Sequence, residues 1–121
     1  MPLETEIISH LALMNVVGSR VYGAQLPQAA TMPAITIHRI STIPLYTHQG
    51  RAGMKSRIQV TVYAHTWQSS LTTTSAMRTA MDTFSMPGAR CRLLLGIDIG
   101  REQNSTLYMQ MQDFEIIHPP D

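Results

Sequence analysis

Arg57-Ile58-Gln59-Val60-Thr61-Val62-Tyr63-Ala64 alternates without a break. Ile58, Val60 and Val62 fall on one side, and Arg57, Gln59, Thr61 and Tyr63 on the other. Successive side chains of a strand point to opposite faces, so this stretch predicts a β-strand with one apolar and one polar face. Its β-branched residues suit a half-buried pleated surface.

Working backwards, residues Pro44 to Ser56 break all periodicity with one proline and the glycines Gly50 and Gly53. They predict a long connecting loop, and the glycine pair predicts high conformational freedom in the free chain that a partner would have to offset. Ala34 to Ile43 carries Ile35, Ile37, Ile40 and Ile43 with Thr36 and His38 between them. This predicts a second strand, and its shift of alternation at Arg39 and Ile40 fits a β-bulge or burial on both faces. The two strands and the loop form a long β-hairpin. Ala24 to Met32, with Pro27 inside and Pro33 after it, reads as an extended connector. Leu3 to about Val17 has Ile7, Leu11 and Met14 on a helical stripe with Ile8 alongside. Glu4 and Glu6 complement the dipole of that helix, and Gly18 is its expected stop. Arg20, just beyond, is expected to hold carbonyls at the helix end.

Working forwards, Thr66 to Phe84 predicts a second helix with Thr66 as N-cap and Trp67, Leu71, Met77, Met81 and Phe84 on its apolar face. Thr72, Thr73 and Thr74 are poor helix formers, so packing must supply much of its stability. Ser85-Met86-Pro87-Gly88 stops it. Cys91 to Ile99 predicts a third, mostly apolar strand, and Thr106 to Ile117 a fourth. In the fourth, Leu107, Met109 and Met111 are expected to face the helices and Tyr108, Gln110 and Gln112 the other side. Phe114 and Ile116 then sit in the opposite phase, which suggests a bulge or bend near Asp113. The tail His118-Pro119-Pro120-Asp121 is expected to leave the ladder. The order helix, strand, strand, helix, strand, strand predicts a two-layer α+β fold: a mainly antiparallel four-stranded sheet with two helices on one face. The other face is expected to be polar and almost uncharged. Gln59, Tyr63, Tyr108 and Gln110 on it are candidates for a subunit interface.

The chain of 121 residues is expected to form one domain over residues 1–121. Only 14% of residues are charged and the net charge is +1, which disfavours a strong duplex binder and suits a surface covered by partners. The single cysteine, Cys91, allows no intrachain disulfide. Met1 to Glu6 lacks a signal-peptide pattern, and no apolar run approaches the ~20 residues of a membrane helix. A soluble protein of a reducing cytoplasm, with no membrane partner, is the expectation. Catalytic patterns fail in turn. Cys91 opens an apolar strand between Arg90 and Arg92, and nothing marks an activated thiol, so it is expected to be structural. His10, His38, His48, His65 and His118 lack zinc-ligand spacing. No phosphate loop, dinucleotide fingerprint or nucleophile elbow is present. No catalytic residue, cofactor or metal site is therefore expected. His48, Arg51, Met54, Lys55 and Arg57 at the hairpin loop remain. Their plain reading is a solvated basic tip, and the sharper one is contact with an acidic partner or with passing DNA.

Several features coincide along the chain. Val17-Gly18-Ser19-Arg20-Val21-Tyr22 ends the first helix, and a spacer with Pro27 leads to Pro33 and a strand. Gln49-Gly50-Arg51-Ala52-Gly53 precedes the alternating strand, a helix with Trp67 follows, and the last strand contains Asp113-Phe114. Over essentially its whole length the sequence resembles the tail-completion, or tail-terminator, proteins of long-tailed bacteriophages with flexible, non-contractile tails. Where that family's second helix is charged, this one carries Ser and Thr. The resemblance implies a non-enzymatic virion protein of the tail-neck region, assembled in the host cytoplasm. It implies a homo-oligomeric, hexameric ring that caps the tail tube, ends tube polymerisation and offers the head-joining surface. The implied partners are the tail tube protein and a head-completion or connector protein, with phage DNA passing through the lumen without sequence-specific binding. The alternatives are another neck component, or a small enzyme or nucleic-acid-binding module.

Overall fold

A computed structural model of the protein describes residues 3–11, 20–23, 31–47, 50–82, 84, 89–101 and 107–119. The elements are α1 (Leu3–Leu11), β1 (Val21–Gly23), β2 (Ala34–Thr47), β3 (Gly50–Ala64), α2 (Trp67–Asp82), β4 (Arg90–Arg101) and β5 (Tyr108–His118). The strands form one sheet in the order β1-β2-β3-β5-β4. β1 pairs with β2 in parallel and every other pairing is antiparallel. The α+β class, the mainly antiparallel sheet and the two helices on one face are as expected. Among the described residues the sheet has five strands rather than four. The extra strand, β1, is only three residues long, too short to leave a periodic signal. Arg20 secures it: its backbone carbonyl accepts from Ile35 N–H at 3.0 Å, and its Nε donates to the Pro33 carbonyl at 2.9 Å. Arg20 thus clamps β1 to the start of β2. The expected end of the first helix, with Met14 and Gly18, lies outside the described residues.

The core joins Leu3, Ile7 and Leu11 of α1 to Ile35 and Ile37 of β2, Ile58, Val60 and Val62 of β3, Phe114 and Ile116 of β5, and Met77 and Met81 of α2. His10 ties the two helices, donating from Nε2 to the Ala80 carbonyl and meeting Phe84 edge-on at 5.5 Å between ring centres. Thr66 caps α2 as predicted, its Oγ1 accepting from Ser69 N–H at 3.1 Å.

The helix presents a different face from the one expected. Trp67 and Leu71 are exposed, while Ser70, Thr73, Thr74, Met77 and Met81 are buried. Small hydroxylated side chains let the helix lie close to the sheet. Ser70 Oγ donates back to the Trp67 carbonyl at 2.6 Å, which satisfies one buried hydroxyl within the helix. Trp67 instead donates from Nε1 to Asp98 Oδ2 at 2.8 Å, spanning from the start of α2 to β4.

Residues Pro44 to Ser56 are strand, not loop. β2 and β3 stay paired from Ala34↔Tyr63 to Thr47↔Gly50, and only residues 48 and 49, outside the described residues, lie between them. Pro44 is tolerated because, among the described residues, no strand lies beside it on the side away from β3, so a missing N–H there breaks no ladder. The predicted bulge is present, between Arg39 and Ser41. The bulge expected near Asp113 is absent: β5 pairs with β3 in unbroken register from Met54↔His118 to Ala64↔Tyr108. Register shifts fall instead in β4, at Leu93/Leu95 and Asp98/Gly100. At the second, Gly100 has φ +73°, and its N–H donates to Asp98 Oδ1 at 2.9 Å. His118 does not leave the ladder. It is buried opposite Met54, and its ring stands 2.7 Å from Ser56 Oγ and 2.8 Å from the Pro119 carbonyl.

Candidate interaction surface

With β5 in one phase, its even-numbered residues all point to the helix side. Gln110 and Gln112 are buried there with Phe114 and Ile116, and Tyr108 shares their side. The two interface candidates Tyr108 and Gln110 are therefore separated from Gln59 and Tyr63. The sequence suggests the reverse because Met109 and Met111 are apolar and the glutamines polar. Tertiary contacts outweigh that pattern: Arg78 of α2 donates from Nε to Gln112 Oε1 at 2.9 Å. A Cβ at Gly96 would stand 2.6 Å from both Arg78 Nη2 and Gln112 Oε1, so the glycine leaves room for this pair.

The second face of the sheet, over which no helix lies among the described residues, carries Gln59 and Tyr63 of β3 with Met109, Met111, Asp113 and Glu115 of β5. It is not uncharged. Arg57 meets Asp113 at 2.5 Å, Lys55 meets Glu115 at 3.4 Å, and Arg92 of β4 meets Glu115 at 3.1 Å. The Asp113 side chain is 8% exposed against 47% for Arg57, so the acid is largely desolvated and the base reaches solvent. Gln59 directs Nε2 at the Met111 sulfur. Beside the ion pairs lies a groove of about 250 Å³ lined by Ile43, Lys55, Arg57, Leu94 and Glu115.

The hairpin candidates are thus only partly brought together. Lys55 and Arg57 share the groove and spend their charge on Glu115 and Asp113, which replaces the expected free basic tip. Met54 is half-buried between Pro44 and His118. Arg51 lies in β3 opposite Tyr46, and His48 is outside the described residues. The sequence reading missed the exposed apolar residues of β4. Leu93, Leu94, Leu95, Ile97 and Ile99 are each about 40–50% exposed, on a strand at the sheet edge. The run Leu93-Leu94-Leu95 was visible, but an apolar run reads as buried until the strand order is known.

Residues 3–118 match the family described as tail completion protein gp17. The chain belongs to that family. It is a structural protein of a phage-type virion, of the tail-neck region, as the resemblance in its sequence implied. No curated protein matches it. Among solved structures, it is similar to a chain in the virion of a native gene transfer agent particle, with 13% identity, a TM-score of 0.77, and coverage of 98% of this chain and 95% of that one. At that identity the likeness establishes a shared fold.

Cys91 packs against the core, and its thiol is pushed up to about 12, first by burial and then by the nearby Asp82 carboxylate. A thiol held protonated is a poor nucleophile. Among the described residues no group of three His, Cys, Asp or Glu side chains is placed to hold a metal ion, and no helix is long and apolar enough to cross a membrane.

Proposed function

We propose that this protein closes into a ring on the end of the tail tube, stops tube polymerisation and presents the surface to which the head joins. The observation that carries the reading is the match to the tail completion family over residues 3–118. The ring follows from symmetry. A head-to-tail contact between identical subunits either closes or grows into a filament, and a cap must close. The hexameric number follows from the resemblance to tail terminators, because the cap must match the rotational symmetry of the tube end. The tail tube protein is the partner on one side, a head-completion or connector protein the partner on the other, and DNA passes through the lumen without sequence readout. No reaction is needed. A second face bearing closed ion pairs rather than free charges lowers the cost of covering it with protein, because the charges already have partners.

The test is a particle lacking this gene. Abnormally long tails without heads are expected. Headless tails of normal length would make the protein a head-joining neck component instead, and normal tails on heads would contradict both roles.

A further inference from the structure

The sheet ends in two edges of unusual character. One is β4, 12 residues long, about 40 Å at strand spacing. Among the described residues no strand lies alongside its outer side from Leu93 to Ile99. Five of its apolar side chains, from Leu93 to Ile99, are 39–48% exposed. The other edge is the hairpin arm. β1 covers β2 only at Ile35–Ile37, and among the described residues no strand lies alongside residues 40–47, roughly 26 Å of strand, on that side. This stretch exposes Ile40 by 46%, Ile43 by 54% and Tyr46 by 67%.

Soluble proteins usually blunt such edges with inward-pointing charges, prolines or short strands. Here Pro44 blunts one position of β2, and the run Leu93-Leu94-Leu95-Gly96-Ile97 of β4 contains no charge at all. At roughly 80 Å² for each half-exposed large side chain, the two edges together offer on the order of 600 Å² of apolar surface, about two-thirds of the apolar share of a standard interface.

We infer that the occupant of each edge is a second copy of this chain, with β4 of one subunit adding to residues 40–47 of β2 of the next. Three observations favour a copy over a foreign partner. Both edges belong to every chain and lie at opposite ends of the same sheet, so one contact uses both and repeats head to tail. Their exposed apolar stretches, Leu93 to Ile99 and Ile40 to Tyr46, match in length. Their directions also match: β2 and β4 run oppositely within one sheet, so two copies side by side in the same orientation meet as an antiparallel pair. The two bulges that bend β4 give the junction an angle, which a closing ring needs and a flat continuing sheet does not. This inference rests on the ring reading and names the surfaces that make it.

The test uses one variant per edge, Ile97→Asp on β4 and Ile43→Asp on β2, in full-length protein. Both residues are exposed, so each variant should keep the circular dichroism spectrum of the parent. Each variant alone is expected to sediment as a monomer of 13.5 kDa, while the parent forms the ring. An equimolar mixture is expected to give dimers that grow no further, because only one intact β4 and one intact β2 edge remain between the two chains. Variants that assemble like the parent would overturn the edge assignment and leave the ring intact. Monomers in the mixture would overturn the head-to-tail pairing. A parent protein that stays monomeric alone and on purified tail tubes would remove the ring reading itself, and this inference with it.

Discussion

The two faces of the sheet are built from the same strands and obey different rules. On the helix side, Ile58, Val60, Val62, Phe114 and Ile116 are at most 1% exposed and pack against both helices. On the other side the same strands carry Arg57, Gln59, Asp113 and Glu115, joined by ion pairs and flanked by methionines and the exposed leucines of β4. The first face folds the chain. On the second, charges are paired with one another and apolar residues lie at the rim.

The sharpest way to break this contrast is to remove one large side chain from each face. Phe114→Ala is expected to cost about 3–5 kcal/mol, through lost burial and the cavity left behind. Met111→Ala, three residues away on the second face, is expected to cost under about 1 kcal/mol. Urea denaturation of both variants checks the pair, and equal losses would dissolve the distinction.

A smaller effect is expected at the ion pair. The exposed-loop reading implies that charge changes at Arg51, Lys55 and Arg57 affect docking far more than folding. The structure alters this for Arg57, whose partner Asp113 is buried and whose removal strands a carboxylate. Arg57→Ala is expected to lose about 1–2 kcal/mol in thermal unfolding, discounted because the guanidinium is half exposed. Lys55→Ala, which leaves Glu115 its second partner Arg92, is expected to lose about 0.5 kcal/mol or less.

How much of this contrast was legible in the sequence depends on how local its causes are. β3 was legible because it alternates by itself. The N-cap at Thr66 was legible because it needs only its own helix. β5 was misread because Phe114 and Ile116 set its phase, while Gln110 and Gln112 are carried inward by α2, an element distant in sequence. The face of α2 was misread for the same reason: Trp67 looks like core and Thr73 like surface until the sheet lies beneath them. The hairpin arm reads as loop in the sequence because glycine and proline usually mean that, and only the strand order puts Pro44 at an edge of the described sheet. Of the candidate interface, Lys55, Arg57, Gln59 and Tyr63 share the second face, whereas Tyr108 and Gln110 belong to the helix side. The β4 rim left no signal that a single sequence could assign to the surface.

The smallest effect concerns Cys91. Cys91→Ser is expected to fold, to assemble and to support infectious particles, with a loss of about 1 kcal/mol near neutral pH. The folded thiol titrates near 12 and the unfolded one near 9. Its contribution to stability is therefore complete below pH 9 and lost as pH rises towards 12, since unfolding frees the thiol to ionise. The stability difference between parent and variant should narrow across that window and then change sign, because a shift from 9 to about 12 outweighs a difference of about 1 kcal/mol. A difference that stays constant would place the thiol in water.

The most direct measurement is backbone hydrogen exchange on the free protein and on the protein in assembled tails. Amides of residues 93–99 in β4 and 40–46 in β2 are expected to slow by about tenfold or more on assembly, while those of residues 58–62, already between two strands and under the helices, stay unchanged. Equal exchange at β4 and β2 in both states would contradict the claim that the edges and second face of this sheet are the surfaces on which the tail cap is built.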